Sequence, residues 1–519
     1  MKTLGNASRR EVLKGAVLLA GGTLMPACGK ARSALASLGA YPFTLGIASG
    51  DPASDGFVIW TRLAPDWLQP DGGMPPVAVD VQWQVAESET FSRVVASGTS
   101  IASPAWGHSV HVEITGLRPD RPYWYRFRAG GELSPVGRGR TTPLAGADIS
   151  AMRACFTSCQ HYERGHYAAY RHMVADDPDV VLFLGDYIYE ANPGAANHVR
   201  LHRNPEPVDL AGYRIRYATY KSDPLLQAAH AAAPWMTIWD DHEVANDYGH
   251  LQSEDDVDPA LFLRRRMAAY QAYYEHMPLR RRALPVAEGM PIYRALDWGA
   301  LAQFQLVDDR QYRSTRACDS EANGKLIPDC AERRDPARSI LGAAQEEWLL
   351  DRVATSRAQW SILTQQTLFG TLHLRDTPER VPERFSRDGW DGFPATRDRI
   401  MQRWTDAKVR NPLIIGGDIH TFAAGDVLDA RETVVASEFV GGSISSLGRD
   451  RAAARQVHED NPRLALFDSS RRGYGRLDIK KARSEITFRS LVDARDPESP
   501  LAPDARFVVE DGLRGLLSA

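Results

Sequence analysis

Val180-Val181-Leu182-Phe183-Leu184-Gly185-Asp186-Tyr187-Ile188-Tyr189-Glu190 is an uninterrupted apolar run closed by a polar turn. A strand with one wet face alternates in polarity, so an unbroken run predicts a strand covered on both sides. The same form recurs three times. Ala154-Cys155-Phe156-Thr157 runs into Ser158-Cys159-Gln160, residues 236–239 into Asp240-Asp241-His242-Glu243-Val244-Ala245-Asn246, and residues 413–415 into Gly416-Gly417-Asp418-Ile419-His420. Further apolar runs lie at 304–307 and 360–363, with strands also at 436–440 and 477–488. Helical stretches fit 167–175, 260–276 and 345–354, the second opened by the cap-and-proline pair Asp258-Pro259. Apolar strands alternating with helices predict an α/β domain over 150–519. Ligands of open α/β sheets sit at the carboxyl edge of the strands, so the four polar turns are expected to converge on one edge.

Upstream the pattern differs. Residues 41–142 read as short strands between Gly, Pro and Asp turns, with Val77, Val79, Val81, Trp83 and Val85 alternating, as do Val110, Val112 and Ile114, then Tyr123, Tyr125 and Phe127. A small all-β sandwich is expected over 37–145, and Gly116 to Tyr125 resembles a fibronectin type III turn and strand.

Of 519 residues, 43% are hydrophobic and 25% charged, which suits two or three globular cores. A net charge of -4 without a long basic run gives no platform for nucleic acid. Ser8-Arg9-Arg10-Glu11-Val12-Leu13-Lys14 precedes an uncharged apolar segment, the pattern of a twin-arginine signal peptide over 1–36. Export to the periplasm or beyond by the twin-arginine machinery is expected. The apolar segment is shorter than the roughly 20 residues of a spanning helix, so the mature chain is expected to have no integral membrane segment. Cys28 offers a lipoprotein anchor as the alternative.

Cysteine placement points to metal. Cys318 and Cys330 flank a polar loop and suit a disulfide in an oxidising compartment. Cys155 and Cys159 on one strand stand roughly 13 Å apart at about 3.3 Å per residue, beyond bridging range. A thiol is therefore expected to survive there, and metal ligation is one way to protect it. Crowded acids at the four strand ends repel one another without cations.

Together these turns, with Asp309-Arg310-Gln311-Tyr312-Arg313, Trp390-Asp391-Gly392 and Glu438-Phe439-Val440-Gly441, resemble the PhoD-like alkaline phosphatase and phosphodiesterase family, relatives of the calcineurin-like metallophosphoesterases. The resemblance implies an α/β (α+β) four-layer catalytic domain with mixed sheets. It also implies ferric iron with calcium, two calcium ions being expected. Cys159, Tyr189 and His420 suit the transition metal, Asp186 is placed to bridge, and Asp241, Asn246 and Asp418 offer the oxygens that calcium takes, Asn246 and Asp418 ahead of Asp241 as direct ligands. Glu190, Asp240 and Glu243 read as supporting carboxylates. His242 is either the acid that protonates the leaving alkoxide or an orienting group. Arg310 is either a phosphate clamp or a surface ion pair. His161, His166 and His172 receive no role, and Tyr213, Tyr217 and Tyr220 read as packing or pocket wall.

The implied activity is phosphate-monoester hydrolysis by metal-bound hydroxide, as in phosphate scavenging. A phosphodiesterase or phospholipase D-like hydrolase on the same core is the nearest alternative. A non-catalytic envelope-binding protein is the alternative from another class.

Overall fold

The computed structural model describes residues 39–192, 198–286, 289–318, 324–375 and 383–519; the segment 1–36, expected to be a signal peptide, lies outside them. Ala151–Thr157, Val180–Leu184 and Pro234–Ile238 form the parallel heart of a ten-stranded mixed sheet, with Phe156, Leu182 and Met236 in register. Val180–Leu184 and Pro234–Ile238 are buried at every position, as unbroken apolar runs require. Antiparallel strands Gly473–Lys480, Arg483–Ser490, Ala505–Glu510 and Leu517–Ser518 extend one side.

On the other side the sheet continues into the N-terminal region. Ile47–Ala53 pairs in parallel with Pro234–Ile238, and Gly56–Arg62 and Ser109–Ile114 follow as antiparallel neighbours. A separate sheet holds Val94–Ala102, Val79–Ala86 and Arg121–Ala129. It buries Val81, Val85, Tyr125 and Phe127 against Phe57 and Ile59. The sandwich is present, and one of its two sheets is the end of the ten-stranded sheet. Val77, read as part of the alternating strand, is exposed and precedes the strand, which starts at Val79.

A second sheet of seven strands contains Ala302–Leu306, Trp360–Thr364, Pro412–Gly416 and Val434–Gly441 as parallel neighbours. The two large sheets pack face to face. One apolar cluster joins Phe156, Leu184 and Ile238 of the first to Phe304, Ile362 and Ile415 of the second. Phe422 meets Phe488 across this interface at 5.1 Å between rings.

Helices cover the outer faces. Ala343–Thr355 and Pro394–Asp406 bring Leu349 and Trp404 onto Leu363 and Ile414. Pro259–His276 covers the other sheet and stacks Tyr270 on Trp239 at 4.2 Å. The Asp258 carboxylate caps this helix by accepting from Ala260 N at 2.9 Å, with Pro259 in the first turn. Leu210–Lys221, unread as a helix, buries Tyr213, Tyr217 and Tyr220 at the three- and four-residue spacing of one helical face.

Candidate metal centre

The four polar turns meet, but along two sheets rather than one edge. Three follow strands of the ten-stranded sheet, and Gly417-Asp418-Ile419-His420 follows Pro412–Gly416 of the seven-stranded sheet. Face-to-face packing with both carboxyl edges at the same end brings them together. Sequence periodicity carries no mark of which sheet a buried strand joins.

Close approach is built into the turns. A Cβ on Gly417 would fall 2.3 Å from Ser158 Oγ, and one on Gly185 would fall 2.4 Å from Asp240 Cβ. Cys159 N donates to Gly185 O at 3.0 Å and Gln160 N to Asp186 O at 3.1 Å, which locks the first two turns side by side. Cys159, Asp186, Asp418 and His420 all have left-handed backbones, with φ of 57°, 57°, 59° and 52°. For an L-residue this costs about 1–2 kcal/mol each, and such residues gather at functional sites.

Ligand atoms of Cys159, Asp186 and His420 lie within 4.8 Å of one another, and so do those of Asp186, Asp241 and His242. Asp186 belongs to both groups. Tyr189 joins the first: its hydroxyl donates to Asp186 Oδ2 at 2.7 Å, accepts from Ser446 Oγ at 2.8 Å and lies 2.9 Å from His420 Nε2. His420 Nδ1 is 2.8 Å from Leu447 O, so Nδ1–H donates to that carbonyl and the Nε2 lone pair faces Tyr189. Burial pulls the His420 pKa down to about 4, which keeps the ring neutral and able to ligate.

Supporting carboxylates hold the turns in register. Glu243 accepts from Asp186 N at 3.1 Å, Tyr187 N at 2.6 Å and Asp240 N at 2.9 Å. Glu190 binds His242 Nδ1 at 2.7 Å and accepts from Asn246 N at 2.7 Å. Burial opposes charge on His242, but Glu190, Asp241 and Asp186 overcome it and raise the imidazole pKa well above its ordinary value.

Two predicted ligands have partners of their own. Asp418 lies outside both tight groups, its Oδ2 accepting from Thr367 Oγ1 at 2.7 Å. The Asn246 side-chain amide donates to Glu254.

Arg310 is buried and does not form a surface ion pair. Its guanidinium donates to Asp240 and, at 2.9 and 2.8 Å, to both oxygens of Asp388. It is also absent from the lining of the adjacent cavity, a space of about 540 Å³ that reaches Thr367, Asp388, Asp418 and His420. Asp388, Thr367 and Ser446 escaped the sequence reading, as did the stacking of His161 on Tyr189 at 4.4 Å, opposed by His242 at 4.1 Å. Thr367 carried a signal: Gln365-Gln366-Thr367 closes the strand Trp360–Thr364 with polar residues, as the four recognised turns close theirs.

The donor set fits metal. Thiol, phenol and imidazole gather with Asp186 in one group, and the Asp241 carboxylate with the His242 imidazole in the other, donors that metal ions take. Asp186 Oδ1, Asp241 Oδ1 and Asp240 Oδ2 are buried with no hydrogen-bond partner among the described residues. Buried carboxylate oxygens so orphaned are costly unless a cation answers them. In the protein alone, burial and then the Asp186 charge push the Cys159 thiol and the Tyr189 phenol well above their ordinary pKa values.

The chain as a whole matches known proteins. Residues 154–488 match the family model for PhoD-like phosphatase, and residues 29–143 match that for its N-terminal domain. Alkaline phosphatase D of Bacillus subtilis (strain 168) is 41% identical over 524 aligned residues, covering 98% of this chain and 88% of its own. A solved structure of PhoD is 42% identical, with a TM-score of 0.88 over 93% of this chain and 92% of that one. Matched nearly end to end in both sequence and backbone, the chain belongs to the PhoD-like phosphatase family and is a hydrolase of phosphoester bonds.

Proposed function

We propose that this enzyme is an exported, metal-dependent phosphomonoesterase in which Cys159, Asp186, Tyr189 and His420 hold ferric iron and Asp241, Asn246 and Asp418 hold calcium. The observation that carries the reading is the position of Asp186 in both ligand groups, with its Oδ1 left orphaned in the interior. When bound, the cations supply Lewis acidity toward the phosphoryl oxygens and a water acidified enough to act as nucleophile near neutral pH.

The chain's own groups do the rest. Glu190 fixes His242 through Nδ1, which leaves Nε2–H as the proton donor to the departing alkoxide. Glu243 ties the Asp186 and Asp240 turns together by accepting from both backbone amides. Arg310 holds Asp240 and Asp388 together through its guanidinium.

A phosphodiesterase is the second reading, favoured by the cavity of about 540 Å³, which has room for a second ester substituent. Family membership leaves the non-catalytic envelope-binding alternative without support. Export is supported by the Cys318–Cys330 disulfide, since such bonds persist in oxidising compartments. Among the described residues no helix is long and apolar enough to cross a membrane.

Elemental analysis of protein purified from a periplasmic extract, with initial rates on a chromogenic monoester and diester, tests the reading. Near-integral iron and calcium with faster monoester turnover is the expected result. Folded, metal-free, active protein would sink the metal assignment, and faster diester turnover would select the second reading.

A further inference from the structure

The cavity beside the metal centre is walled by Asp418 and His420, by leucines including Leu326, Leu372 and Leu374, and by Arg449. Phosphate esters are anionic, so the cations around this cavity decide how a substrate is held. Most are already committed. Arg310 and Arg313 are paired with Asp388, Arg313 at 2.7 Å. Lys325 lies 2.7 Å from Asp247 and 3.3 Å from Glu254. Arg472 donates to the carbonyls of His420 and Ser469.

Arg449 differs from these. Among the described residues no acceptor engages its guanidinium, which stays in contact with solvent. Its backbone is nonetheless fixed: Arg449 O accepts from Ser469 Oγ at 2.8 Å. The next residue, Asp450, caps the helix Arg451–Asp460 by accepting from Ala452 N at 2.8 Å. The residue is thus anchored at its root and unpaired at its tip. Its concave surroundings lower its pKa from the ordinary value, opposed by the nearby Asp418 carboxylate, which favours the charge.

We propose that Arg449 is a substrate-binding residue, its guanidinium taking the non-esterified phosphoryl oxygens of a phosphate ester seated on the metal centre. A planar fork of N–H groups matches two phosphoryl oxygens, which a lysine ammonium matches less well. The leucine wall then receives the ester substituent. The inference rests on the phosphoesterase reading and adds to it the residue that holds the anion.

Calorimetric titration of inorganic phosphate into the metal-loaded enzyme tests it, alongside kinetics on a chromogenic monoester, for the wild type, Arg449→Gln and Arg449→Lys. A charged hydrogen bond of this kind corresponds to about a tenfold or greater effect. Arg449→Gln is expected to weaken phosphate binding and raise KM by about that factor, with kcat changed far less and Arg449→Lys intermediate. An unchanged melting temperature confirms that the variants fold. Phosphate affinity and KM equal to wild type in Arg449→Gln overturn the assignment. Absence of turnover in the wild-type holoenzyme instead overturns the phosphoesterase reading, and this inference with it.

Discussion

Tyr189 Oη lies 2.9 Å from His420 Nε2, joining side chains 231 positions apart and one from each large sheet's carboxyl edge. Phenolate on ferric iron gives visible charge-transfer absorption. Tyr189→Phe is expected to weaken that band and lower iron affinity by at least about 10–100-fold, the range seen for supporting groups of metal sites. Absorption spectra with elemental analysis check it; an unaltered band removes Tyr189 from the ligand set.

Asp186→Ala is expected to lose both kinds of cation together, because its carboxylate sits in both ligand groups. Cys159→Ser is expected to lose iron and turnover. Metal content after dialysis separates the two, and full activity in Asp186→Ala disproves the shared role.

Arg310→Ala leaves Asp240 buried without its partner and Asp388 with Arg313 alone. Breaking a buried pair from one side costs about 3–5 kcal/mol, and Arg310→Lys is expected to restore little of it, since an ammonium cannot span both carboxylates. Urea unfolding measures this. A raised KM with unchanged stability would favour the phosphate-clamp role.

The Cys318–Cys330 bridge, with Cα atoms 6.7 Å apart, closes the loop that carries Lys325 and Leu326 to the cavity wall. Closing a loop of this length stabilises by about 3 kcal/mol in the chain-entropy model. Cys318→Ser is expected to lose roughly that much stability and to raise KM more than it lowers kcat. A KM unaffected by the change limits the bridge to a stabilising role.

His111 makes stability depend on pH. Burial, aided by the Arg281 charge, outweighs the carbonyls of Tyr274 and Met277 that its Nε2–H meets at 2.9 Å, and holds its pKa at about 4. The unfolded chain protonates this ring from its ordinary value of about 6.5 downward, while the folded protein does so only near the lower value. The unfolded state therefore binds more protons in that window, and stability falls as pH drops through it, by up to about 3 kcal/mol. In His111→Gln this contribution is absent. The stability gap between wild type and variant is expected to shrink on acidification, measured by urea unfolding at pH 7 and pH 4.5; a constant gap refutes the assignment.

Much of the centre was legible because strand ends are local events. An apolar run followed by Gly-Asp or Asp-Asp-His marks where a buried strand meets the surface, and each such turn was found. Partition of the strands into two sheets was not legible, since pairing across hundreds of residues leaves no local period. Asp388, Ser446 and Arg449 sit on loops without periodicity. The helix Leu210–Lys221 is not legible although Tyr213 and Tyr217 are four apart, because aromatic residues there read equally as packing or pocket wall.

Parallel pairing of Ile47–Ala53 with Pro234–Ile238 has a further bearing on biosynthesis. On the ribosome, one side of Ile47–Ala53 can pair early with Gly56–Arg62, but its other side waits for Pro234 to emerge before it finds a ladder partner. Until then the nascent strand is an unprotected edge, the kind that invites pairing between neighbouring chains. A fragment ending near residue 145 keeps that edge permanently, so the amino-terminal portion is a poor candidate for a detachable module.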